Sequence, residues 1–122
     1  MSRQAGAAPR QGRPTAIRKA IVEDNRVRPD YARICVPVLA IYRSVTKEQA
    51  LLDYPPQNDE ERAALDLAYA GRRAILSRWQ HDLLAGVASA RIVELPGANL
   101  YMFLSNEADV LREVRAFAAT LP

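Results

Sequence analysis

One histidine and one cysteine stand in a chain of 122 residues. His81 therefore has no second histidine with which to hold a metal, and no Ser or Cys is placed beside it for a proton relay. It falls late in a long helical stretch, two residues after Trp79, where a surface or packing role accounts for it. Cys35 lies inside the apolar run "ICVPVLAIY" and reads as a small buried side chain. A single cysteine also excludes an internal disulfide and a cysteine-rich metal site, and points weakly to a reducing, cytoplasmic setting. The run "DEER" (Asp59 to Arg62) offers carboxylates. They fill the first turn of a helix capped by Asn58, where acids complement the positive helix end, and a helix-start cluster is the simpler reading than a metal site. None of the five glycines (Gly6, Gly12, Gly71, Gly86, Gly97) opens a G-x-S-x-G, Walker or G-x-G-x-x-G pattern. No cofactor is expected.

The remaining place for chemistry is the loops that follow two apolar runs. "VPVLAIY" is rich in β-branched and large apolar residues, as a strand covered on both faces must be. Pro37 would remove a ladder donor, so the strand proper is expected over 38–42. "ARIVEL" (Ala90 to Leu95) is a second such strand. In open α/β sheets ligands bind beyond the carboxyl ends of the strands. Those ends here are "RSVT" after the first strand and "PGANLYMF" after the second.

Helices must position these loops. Thr15 caps a short helix to about Arg26, with Ile17, Ala20 and Ile21 on one side. One helical turn is expected at Lys47 to Leu52. A long helix starts after Asn58, whose spacing to Glu61 is that of a capping box. Leu65, Tyr69, Leu76, Trp79 and Leu83 mark its buried face, Gly71 weakens its middle, and Gly86 is a candidate C-cap. A last helix is expected from about Asn106 to Ala119, with Val110, Val114, Phe117 and Leu121 along one stripe. The fold class is α/β: two parallel strands, a long crossover helix and flanking helices. Two strands are few. Each exposes an apolar edge, so the sheet is expected to pair with a protein partner or a second copy.

The net charge of +3 is unevenly distributed. Residues 1–33 hold eight Arg/Lys against three Asp/Glu, a balance of +5, and residues 34–122 hold nine against eleven, a balance of −2. Residues 1–14, rich in Gly, Pro, Ala and Arg, lack large apolar side chains and are expected to be a disordered basic tail before a domain over 15–122. Two other readings of the tail are weaker. Nucleic-acid contact lacks interleaved aromatics, and a targeting peptide would carry more serine. No apolar run approaches the roughly 18 residues of a membrane span, so no membrane partner is expected.

At the two strand ends the chain resembles a known family. "YARICVPVLAIY" looks like the strand before the acid loop of α/β-hydrolase-fold proteins. "ARIVELPGANLYMFLSNEADVLREVRAFAATL" is similar to their final strand, histidine loop and last helix, and the likeness covers roughly residues 30–121. The resemblance implies that the catalytic histidine would fall at Leu100, in "GANL" where "GANH" is expected, and that the acid-loop slot falls at Thr46. Asp53 and Asp59 lie farther along and do not inherit the acid's role. The nucleophile serine and the oxyanion hole would belong to an N-terminal part of the fold. Serine hydrolysis needs an oriented base, and Leu100 has no lone pair. The reading is therefore a catalytically incompetent α/β-hydrolase-like C-terminal fragment or remnant, serving as an interaction module. The alternative is part of a hydrolase of esters or other acyl compounds, with its serine half elsewhere.

Overall fold

The computed structural model describes residues 15–24 and 26–122, so the tail expected over 1–14 lies outside the described residues. Contacts divide the chain into two units, 1–30 and 31–122. The first holds α1 (Ala16–Asp24), and Thr15 begins it as expected: its Oγ1 accepts from the Arg18 N–H at 3.3 Å.

The second unit starts with a 3-10 turn at Tyr31–Arg33 and then builds β1 (Val38–Ser44), α2 (Lys47–Asp53), α3 (Asp59–Gly86), β2 (Ala90–Pro96), α4 (Met102–Ser105) and α5 (Glu107–Ala118). β1 and β2 pair in parallel, from Val38 opposite Ala90 to Ser44 opposite Pro96. The expected two-stranded α/β unit with a long crossover helix is what forms. Pro37 stays outside the ladder, where its missing N–H costs nothing.

Side chains alternate across a strand, so Arg91 and Glu94 leave opposite faces of β2. Glu94 meets Arg73 and Gln80 of α3. Arg91 meets Glu113 of α5 at 2.7 Å. The sheet thus lies between α3 on one face and α5 on the other. Lys47 to Asp66, at 2.8 Å, ties α2 to α3.

α3 runs unbroken through Gly71, where a Cβ would meet nothing within 4 Å. The expected weak point is therefore an ordinary helical residue on an open surface. Gly86 is the last residue of α3 rather than a left-handed cap, and Val87 closes the helix by donating to the Leu83 carbonyl at 2.8 Å. Gly86 is needed for another reason: a Cβ there would collide with the Cβ of Tyr31. The Asn58 carboxamide accepts from the Glu61 N–H at 2.8 Å, but the return bond is displaced by one residue, Glu61 accepting from the N–H of Gln57.

The core is small: Ala50, Leu83, Val87, Leu95 and Ala98 are its buried apolar residues. Of the stripe expected to be buried on α3, Leu83 is enclosed, Leu65, Tyr69 and Leu76 are half-covered, and Trp79 is 54% exposed. On α5, Val110 and Phe117 are half-buried and Val114 is exposed, whereas Leu121 lies beyond the helix end and is exposed. Two strands are narrower than the helices laid on them, so the outer part of each stripe has nothing to pack against. Cys35 is also exposed, because it precedes the strand in which burial was expected. No helix among the described residues is long and apolar enough to cross a membrane.

Candidate functional site

The two strand-end loops lie side by side, joined by two hydrogen bonds to Gly97. Ser44, the last residue of β1 and itself buried, accepts at its carbonyl from the Gly97 N–H at 2.8 Å. Gly97 turns the chain there with φ +80°, a conformation that disfavours any residue with a Cβ. Gln49 bridges the loops: its Nε2 donates to the Gly97 carbonyl at 2.9 Å, and its Oε1 accepts from the Thr46 N–H at 3.1 Å.

Thr46 is accounted for by this arrangement. Its Oγ1 accepts from the Gln49 N–H at 3.2 Å, so Thr46 and Gln49 form a complete capping box at the start of α2. The slot that the resemblance assigns to an acid is held by a helix cap. The T-x-x-Q spacing carried this signal, and it was not read from the sequence. Asp53 ends α2 and lines a different cavity, of about 610 Å³, between α2, the Pro55–Pro56 loop and α3. Asp59 opens α3, and His81 is exposed on it.

Leu100 projects from the second loop, 62% exposed. Its N–H donates to the Asn99 carboxamide at 2.6 Å, and the Asn99 N–H donates to Ser105 Oγ at 3.1 Å. These bonds hold the loop in shape without presenting a group that can accept a proton from substrate. With Met102, Leu100 forms one rim of a cleft of about 450 Å³. The end of β1 and the middle of α3, including Tyr69, Arg72, Arg73 and Trp79, form the rest. The cleft lies beyond the carboxyl end of β1, where α/β sheets bind ligands. Tyr42 in its wall has its phenol pushed above the ordinary range by burial, with Tyr31 adding to it, so it stands neutral as a donor.

Behind the cleft is a polar network spanning the sheet and α3. Arg73 donates to Glu94 Oε1, and Gln80 donates to Glu94 Oε2 at 3.2 Å. The Arg73 guanidinium holds the Glu94 carboxyl below the usual carboxylate range, against the opposing pull of desolvation; Ser44 and Gln80 add to the lowering. Glu94 is thus a charged anchor, not a poised base. One acid inside the apolar run "RIVEL" was its sequence signal, since a carboxylate facing a packed helix must find a partner.

The lining residues are tyrosines, arginines, Ser44, Trp79 and aliphatic residues with Met102; no Asp, Glu, His or Cys is among them. Among the described residues no cluster of three or more His, Cys, Asp or Glu side chains is grouped to hold a metal. No family model, curated protein or solved structure matches the chain.

Proposed function

We infer that this chain is a non-catalytic, α/β-hydrolase-like interaction module, and that a second copy of the chain completes its sheet along the outer edge of β1. The observation that carries this reading is that edge itself. Among the described residues β1 pairs only with β2, so its other side offers a row of unpaired backbone groups over an uncharged stretch, Val38 to Tyr42. β2 carries Arg91, Glu94 and the terminal Pro96, which make it the poorer template. The exposed apolar residues Ile34 and Val36 extend the β1 side.

A second copy fits by symmetry. A two-fold axis normal to the sheet at Ile41 would lay the two β1 strands antiparallel, with Arg43 of each copy opposite Leu39 of the other. No like charges would then face each other. The resemblance supports the non-catalytic half of the reading: its histidine slot holds Leu100, and its acid slot holds the Thr46 cap.

The outward groups follow from the ladder. The Ser44 carbonyl points towards β2, so by alternation the backbone of Leu39, Ile41 and Arg43 points away. Leu39→Pro removes an outward N–H and leaves the inward ladder intact. Multi-angle light scattering is expected to give a dimer for the natural chain and a monomer for Leu39→Pro, with matching far-ultraviolet circular dichroism. A natural chain that remains monomeric at high concentration would overturn the pairing. Saturable ester hydrolysis by the chain alone would overturn the non-catalytic assignment.

A further inference from the structure

The geometry points to the cleft beyond β1 as a binding site for a small amphipathic carboxylate, a single anionic head on an apolar body. Arg72 and Arg73, both on α3, line one cleft of about 450 Å³; Arg43 also borders it, but its side chain leaves the sheet on the face opposite to Tyr42 and Glu94, which face α3. Arg73 is neutralised by Glu94. Arg72 is in no ion pair among the described residues.

The rest of the lining is apolar, with Ile75, Trp79 and Leu100 all substantially exposed to solvent. A cation left without a counterion beside an uncovered apolar wall matches a ligand that carries both complements. A carboxylate meets a guanidinium through paired, charge-assisted hydrogen bonds. Its hydrocarbon body removes Trp79 and Leu100 from water. The volume is that of a site for one small molecule. No glycine-rich loop is present to cradle a polyphosphate. The neutral Tyr42 phenol supplies a further donor in the wall.

Trp79 is the only tryptophan in the chain and stands in this cleft, so its emission reports on the site directly. The experiment titrates the full chain with octanoate and, separately, with octanol. Octanoate is expected to shift Trp79 emission saturably and to bind up to about fivefold more tightly than octanol, the advantage available to a solvent-screened ion pair. Arg72→Gln is expected to remove that preference, with circular dichroism unchanged. Leu100→Glu places a negative charge at the rim and is expected to abolish octanoate binding. Equal affinity for octanol, a preference that survives in Arg72→Gln, or no saturable change in emission would each overturn the assignment.

Discussion

Replacing Glu94 by Gln tests how the sheet and α3 are held together. The side chain receives Arg73 and Gln80, and hydrogen-bonding to Ser44 helps lower its pKa. Glu94 is 25% exposed and Arg73 40% exposed at their side chains. A hydrogen bond to a charged group contributes about 1.5–3 kcal/mol when buried, and partial exposure reduces this. Gln keeps the shape and one acceptor but loses the charge, so the expected cost at neutral pH is about 1–2 kcal/mol. With an m-value of about 1–3 kcal/mol/M for a small unit, the urea midpoint falls by about 1 M. The same contact has a pH signature. Its folded pKa lies below the unfolded value of 4.5, so its stabilisation is present above that value and is lost as pH falls through the folded pKa. Urea titrations of both proteins, at one fixed protein concentration to hold any assembly constant, should show a large gap at pH 7. Well below pH 4.5 the gap should close, because natural Glu94 is then protonated too. A gap of the same size at both pH values would refute an electrostatic role and leave only packing.

Three further outcomes follow from the same geometry. Gly71→Ala is expected to stabilise the chain by about 0.5–1 kcal/mol, since the helix gains propensity and the new methyl meets open space, whereas Gly86→Ala should cost about 1–3 kcal/mol through collision with Tyr31; thermal melts distinguish the two signs. Thr46→Ala should cost about 0.5–2 kcal/mol, and hydrogen exchange should rise first at the Gln49 N–H, whose acceptor is removed. Leu100→His should confer no hydrolysis of a chromogenic ester on the chain alone, because no nucleophilic serine elbow lies within it for the imidazole to deprotonate.

Element order, strand direction and most boundaries could be read from the residues because their causes are local. Asn58 and Thr15 start helices through bonds to residues three positions on, and "VLAIY" and "RIVEL" are strands by side-chain type. The two strand-end loops could be located for the same reason. Their wiring could not: the bond from Gln49 to Gly97 spans 48 residues, and the partners of Glu94 lie 14 and 21 residues away on α3. Burial was the least readable property. The stripe through Trp79 and the run around Cys35 have the apolar character of a core, yet both residues are exposed. Apolar pattern records which surface needs covering, and it is local. Whether a strand or helix stands opposite to cover it depends on how many elements the sheet contains. With two strands, the outer halves of both helices and the cleft at Leu100 were left to tertiary structure.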